Sequence, residues 1–345
     1  MRYKGKYEIF DPEKITTYPV KDRTNRVTLD DIVDPDEICA NSFNVRRKVA
    51  KQIDTIARAV IKARKNDKPV IFFTGAHLVK NGLSSLLIEL IKRNLITLVA
   101  GNCATAIHDF ELALIGQTSE NVPNALGRGQ FGMAYEFSYI NTAVSLGNKY
   151  KLGYGESLGR MICDETFCDE VLEAVAGENS PRNFLYPHIS LLAVCYEKDI
   201  PFTVHAGIGT DVIDQHPTFD GESKGACSAR DFLIFAHQVS KLVDGGVILN
   251  VGSAVTGPEV LLKAVSMAAN TGKTPNNIVT ADFDLRLHHP KEMTDESAQC
   301  YYFRDQKSIV TRIPQAFSGE GHYIQGDQKQ TIPLLYKKII EKLDL

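Results

Sequence analysis

Four times in this chain a short apolar run ends in a glycine-bearing polar loop, and a helix-like segment usually follows. The runs are Val70–Thr74 before Gly75-Ala76-His77, 96–100 before Gly101-Asn102-Cys103, Phe202–Val204 before His205-Ala206-Gly207-Ile208-Gly209, and Val247–Val251 before Gly252-Ser253. Short apolar runs bounded by turn residues read as buried strands, and their alternation with helical periodicity predicts parallel pairing. Every loop then emerges at the same sheet edge, where open α/β sheets hold their ligands. The expectation is an α/β fold: a Rossmann-like parallel sheet with helices on both faces.

The rest of the chain fits that frame. Residues 1–41 are polar, rich in Asp, Lys and Pro, and weakly periodic, which predicts an arm lying on the main body. Residues 42–345 read as a single domain. Within it, 3.6-residue spacing predicts helices over 42–65, 83–94, 106–116, 188–197, 229–243, 258–270 and 333–342. A further strand is expected over 278–281. The stretch 117–186 is harder to assign, with helix-like pieces at 133–146 and 156–174 between glycine-rich turns. No internal repeat or low-complexity linker interrupts the chain.

Composition excludes several classes of function. The formal charge of −3 comes without a long basic run, so a nucleic-acid partner is not expected. No apolar stretch approaches the roughly 20 residues of a membrane span, and the N-terminus lacks the apolar core of a signal peptide. Seven scattered cysteines contain no C-x-x-C pair, which fits reduced thiols in a cytoplasm better than a zinc ribbon or disulfide framework.

The strand-end loops carry the candidate chemistry. His205 through His216 is the most polar of them, and its carboxylates and imidazoles would serve a metal, an amine or acid–base work. Its spacing matches no fixed metal pattern, so no metal is expected. Asp211 and Asp214 read either as anchors for a cationic substrate or as a helix cap and a surface charge. His108-Asp109, one turn into a helix, offers a crevice-facing group or a favourable charge at a helix start. Asp282, Asp284, His288 and His289 are ambiguous in the same way. Cys103 at a helix start reads as a packing thiol in the absence of a dedicated base. Gly252 through Gly257 follows a buried-type strand and opens a helix, as a phosphate-binding turn does, or as a plain tight turn does. Gly127-x-Gly129-x-x-Gly132 matches a dinucleotide fingerprint by letters but follows a poor strand, so it reads as a surface turn. No G-x-S-x-G elbow is present, and no Ser/His/Asp triad is assigned.

Several segments, taken in order, resemble the deoxyhypusine synthase family. They are FFTGAHLVKNGLSSLLIELIKRNLITLVA, AGNCATAIHDFE, DIPFTVHAGIGTDVIDQ, GGVILNVGSAVTGPE, NIVTADFD and GDQKQTIPLL. The resemblance implies that family's fold, an NAD cofactor, and a homotetramer with sites at subunit boundaries. It implies cofactor contacts from Gly75, Ala76, His77, Gly101, Asn102, Thr105, Gly252, Ser253, Thr280, Ala281 and Asp327. His108 falls where the family places a substrate carboxylate, and Asp214 on its second amine-binding aspartate. The first such aspartate falls at Gly209, so Asp211 would substitute from two residues on.

One departure bears on the reaction. The family's imine-forming lysine sits in a Trp-Gly-Lys setting, whereas this chain has no Trp, places Tyr302 at the lysine position, and has Lys307 five residues later. A second, local resemblance joins AGNCATAIHDFELALIG to the archaeal-type ornithine cyclodeaminases, which use NAD to oxidise an amino acid's amine transiently. The leading expectation is an NAD-dependent enzyme acting on a small amine or amino acid. His108 or His205 would be the acid–base group, Asp211 and Asp214 the cation anchors, and Asp327 the contact to a cofactor ribose. The alternatives are aminobutyl transfer through a displaced lysine and a non-catalytic NAD-binding protein.

Overall fold

The computed structural model describes residues 3–175, 182–293 and 295–343. Part of the unassigned 117–186 stretch, residues 176–181, therefore lies outside the described residues. At the centre is a six-stranded, all-parallel sheet of β2 (Val70–Thr74), β3 (Leu98–Gly101), β5 (Phe202–Val204), β6 (Val247–Val251), β7 (Val279–Asp284) and β8 (Glu320–Gln325). Its order is β5-β3-β2-β6-β7-β8. The remaining pair, β1 (Asn25–Thr28) and β4 (Gln117–Glu120), forms a separate antiparallel ribbon.

The five expected strands form because both faces of each are covered. Phe72 and Val99 look into one apolar layer, formed with Arg47–Lys65, Ser84–Lys92, Cys103–Ile115 and Gln328–Leu343. Ile71, Phe73 and Ile248 look into the other, formed with Gly221–Val239 and Thr256–Asn270. Such double burial explains why these strands lack polar alternation. β8 escaped detection because it is an edge strand that reads EGHYIQ, polar and partly exposed.

Helix boundaries shift where capping decides them. The 106–116 helix begins earlier, at Cys103, because Asn102 Oδ1 accepts from Thr105 N at 3.0 Å, and it ends on left-handed Gly116. The 156–174 piece is two helices, Tyr154–Cys163 and Glu165–Ala174, with Asp164 capping the second. The 229–243 helix starts at Gly221, where Asp220 caps it. Residues 122–126 are helical and lead into an open turn, so Gly127 and Gly129 open no helix for a phosphate.

The arm is part of the fold. β1 pairs with β4, and Val20 N donates to Glu136 Oε2 at 2.7 Å, drawing residues 18–28 over the loops that follow β3. No described helix is long and apolar enough to cross a membrane.

Chain order reverses between β2 and β6, which makes their junction the switch point of the sheet. There the two glycine turns touch. Gly75 N donates to Val251 O at 3.0 Å, and a Cβ on Gly75 would lie 2.3 Å from Gly252 O. Gly252 itself has a φ of +64°. Since the obstruction is backbone, Gly75→Ala should lower stability by about 1–3 kcal/mol through overpacking. Urea denaturation of the variant reads this directly, and an unchanged midpoint would show that the two turns can part freely.

Candidate functional site

On the β3 side of the switch point, a cavity of about 210 Å³ opens above the carboxyl edge. Arg23, Lys80, His108, Glu111, Glu120 and Asp211 line it, so charges of both signs face one small volume. The helix Cys103–Ile115 contributes His108 and Glu111 from one face, three residues apart. The arm contributes Arg23, and the β4 ribbon contributes Glu120.

A buried relay runs along one wall. Arg23 Nη1 lies 2.6 Å from Glu111 Oε1, with both side chains almost wholly covered. Burial alone would raise the Glu111 carboxyl, but the Arg23 charge, followed by the His108 ring 3.7 Å away, outweighs it and holds the group at about 2. Glu111 is therefore a carboxylate, which can only accept. Thr118 Oγ1 donates its one proton to Glu111 Oε2. Hence the 2.7 Å contact between Thr118 Oγ1 and His108 Nδ1 must be Nδ1–H donating to the hydroxyl. This fixes the neutral tautomer and leaves Nε2 with the free lone pair. Arg23 Nη2 is buried without a hydrogen-bond partner among the described residues. Arg23 lines this cavity, but Nη2 itself exposes almost no surface, so a ligand's acceptor would reach it only with a small shift of the side chain.

Asp211 and Asp214 sit together at the same edge, but already hold a cation. Lys224 Nζ is 2.9 Å from Asp211 Oδ2 and also pairs with Asp214 Oδ1. Asp214 Oδ2 accepts from Gly209 N at 2.6 Å and from Asp211 N at 3.4 Å. Asp214 is thus committed on both oxygens and is covered, while Asp211 keeps a share of the cavity wall. Of the roles that the sequence left open, capping is seen, since the pair caps the turn Val212–Gln215, while Asp214 is buried rather than a surface charge.

His205 departs from its expected acid–base role. Its ring stacks on Phe73 at 5.4 Å and meets the edge of Phe235 at 5.2 Å, while Nε2 contacts Thr203 Oγ1 at 3.1 Å. Burial pushes its pKa down to about 3. A ring so enclosed cannot exchange protons with a ligand at the edge. Asp109 also turns inward, accepting from Ser190 Oγ, Leu191 N and Leu192 N to cap the helix Leu191–Glu197. Cys103 is fully buried, and burial pushes its thiol well up.

The expected cofactor contacts divide into two groups. Gly75, Ala76, His77, Gly101, Asn102, Gly252 and Ser253 lie in the turns at the carboxyl edge. Thr105 sits beneath them, fully buried, with its hydroxyl on Asn102 Oδ1 and Thr74 O. Ser253 Oγ accepts from Gly257 N and so caps the next helix. Asp327 is exposed just beyond β8, where its Oδ1 accepts from Lys329 N. Thr280 and Ala281 require correction. The strand expected to stop at Ala281 continues to Asp284, which carries both residues into the sheet interior at 0 % exposure. Thr280 Oγ1 donates to Ile309 O there.

A second polar cluster lies over β7, three inter-strand steps of about 4.8 Å from β3. Asp282, Asp284 and Asp305 bring carboxylate oxygens within 4.8 Å of one another. Arg286 pairs with Asp284 and Asp305, and Asn250 Nδ2 donates to Asp282 Oδ1 at 2.8 Å. Burial, followed by the Asp305 charge, pushes the Asp282 carboxyl well up. Tyr302 stands 63 % exposed, with its ring against Tyr301. Lys307 points its ammonium at the Tyr301 ring, 3.2 Å from the centroid. His288 stacks on Tyr323.

Arg23, Glu111, Thr118 and Lys224 were not singled out from the sequence. Glu111, one turn after His108, was the one with a visible signal. The others reach the site through tertiary packing alone.

No family model matches the chain, and no curated protein matches it. Similar crystal structures include ArgZ, an arginine dihydrolase from the ornithine–ammonia cycle in cyanobacteria. It shares 13 % identity over 86 % of this chain and 32 % of its own, at a TM-score of 0.48. A ternary complex of AgrE with ornithine and NAD+ shares 15 % identity over 88 % and 35 %, at 0.49. A conserved putative LOR/SDH protein from Methanococcus maripaludis S2 shares 16 % identity over 88 % and 73 %, at 0.45. This chain spans about a third of the length of the first two. At these identities and scores the likeness assigns no activity.

The enclosure of His205 has a pH signature. Its folded pKa lies below the unfolded value near 6.5, so acid protonates the unfolded chain first, and stability falls as pH drops from about 6.5 toward 3. Asp109 and Asp231, raised by burial to about 6 and about 7, oppose that slope, because their stabilisation grows as pH falls. His205→Phe suits the aromatic surroundings and should shed only the histidine contribution. Melting temperatures from pH 7 to pH 4 should therefore decline less steeply in the variant than in wild type. Identical slopes would show the imidazole to be freely solvated.

Proposed function

We propose that this protein is an NAD-dependent enzyme that transiently oxidises the C–N centre of a small amino acid, with His108 as its base. The observation that carries this reading is the relay from Arg23 through Glu111 and Thr118 to His108 Nδ1, which leaves a bare Nε2 lone pair on a residue that lines a small cavity of mixed charge.

An amino acid matches that cavity group by group. Its carboxylate would satisfy the orphaned Arg23 Nη2 and lie near Lys80, and its ammonium would face Glu120 and the outer oxygen of Asp211. His108 Nε2 would take a proton from the ammonium and free the nitrogen lone pair that makes the adjacent C–H bond a hydride donor. The positive charge this creates on the imidazole is stabilised through Thr118 by the Glu111 carboxylate. The sheet edge supplies the setting that a dinucleotide needs. Gly75 and Gly252 bring bare backbone to the switch point, Ala76, His77, Gly101, Asn102 and Ser253 border it, and Asp327 stands at the far end for a ribose hydroxyl. Exposed apolar side chains on the same loops, Ile208 and Val255 among them, offer the nonpolar cover that flat rings favour. NAD bound along this edge would supply a hydride acceptor.

The test is calorimetry with NAD+, followed by a panel of small amino acids and amines monitored for NADH absorbance and released ammonia. His108→Gln should lower kcat by about 10²–10⁴-fold. Thr118→Val, which keeps the shape but cuts the relay, should lower kcat by roughly 10-fold or more with KM little changed. Wild-type turnover in both variants, or no affinity for either oxidation state of the dinucleotide, would remove this reading.

A further inference from the structure

We infer that Lys224 is a built-in counter-ion that occupies the cation subsite formed by Asp211 and Asp214, and that it thereby excludes diamines and basic amino acids in favour of substrates with a single ammonium group. The inference rests on the proposed amino-acid cavity and narrows its substrate class.

Lys224 comes from the helix Gly221–Val239 and reaches the two aspartates from below the cavity. Its side chain is 3 % exposed, and those of Asp211 and Asp214 are 11 % and 5 % exposed. Its ammonium contacts both carboxylates, with the Phe219 ring 5.8 Å away and Cys103 alongside. Two buried carboxylates without a cation would be strongly destabilising, and a lysine fixed between them offsets one of the two negative charges while contacting both. The geometry equals that of a bound alkylammonium ligand, except that the alkyl stem is tethered to the fold. A substrate's distal ammonium would have to displace this tethered group, whose effective concentration far exceeds that of any free amine. What remains for a ligand is Asp211's outer face and Glu120, enough for one ammonium beside the carboxylate-seeking Arg23.

Removing the tether should open the subsite. Lys224→Ala is titrated with propylammonium, 1,4-diaminobutane and ornithine in thermal melts, without NAD, and sodium chloride and propanol serve as matched controls. At tenfold their dissociation constant, the amines should raise the variant's melting temperature by about 2 °C, while wild type stays within about 0.5 °C. Controls should shift neither protein. If Lys224→Ala does not fold, Asp211→Asn/Lys224→Ala, which leaves one carboxylate uncompensated, takes its place under the same criterion. A variant indifferent to amines, or a wild type that responds to diamines as strongly as the variant, would overturn the inference. Because these melts use no dinucleotide, they fail or succeed independently of the proposed oxidation chemistry, which the NAD titration tests.

Discussion

The ion pair between Arg23 and Glu111 holds the candidate site together. Each partner is buried, and neither would be tolerated alone, because a single charge removed from water costs far more than a surface charge does. Pairing them commits the arm to the body of the fold: Arg23 comes in with the chain that forms β1, and Glu111 rides on the helix that follows β3. The guanidinium also keeps Glu111 ionised in a place where burial would otherwise protonate it. That charge then dictates which way the Thr118 hydroxyl points, and the hydroxyl dictates which nitrogen of His108 is bare. Four residues from three separate segments thus share one proton arrangement, set by electrostatics at its far end.

Much of the fold was legible because double burial writes itself into composition. VIFFT and VILNV are apolar throughout, since helices cover both faces of those strands, and each ends in a glycine where the chain must turn sharply. β8 carries no such mark, because an edge strand with polar residues looks like a loop. Capping explains the misplaced helix starts at Cys103 and Gly221, where a single Asn or Asp side chain outweighs periodicity.

The site was legible only in part, for a related reason. Residues that follow strand ends share one neighbourhood by topology, so two of the residues named from the sequence, His108 and Asp211, line one cavity. Whether such a residue faces ligand or core is decided by neighbours remote in sequence. His205 follows its strand directly and was, with His108, a candidate acid–base group, yet Phe73 and Phe235 enclose it. Asp214 looked free until Lys224, ten residues on, supplied its cation. Thr280 and Ala281 were lost to a strand three residues longer than its apolar run.

These internal pairings also decide what a ligand can meet. Arg286 pairs with Asp284 and Asp305 over β7, Lys224 with Asp211 and Asp214 over β5, and Arg23 with Glu111 between arm and helix, so the first two clusters each keep one negative charge in excess. The formal charges nearest the edge are therefore largely spent on the protein itself. What is left unspent is smaller and more directional: the His108 Nε2 lone pair and the Arg23 Nη2 donor. An ion without shape would gain little from such a set, since Arg23, Glu111 and Asp211 each have a fixed partner. A molecule with an acceptor for Arg23 and a proton for His108 would gain from both at once, and a cavity of about 210 Å³ limits how much more it can carry.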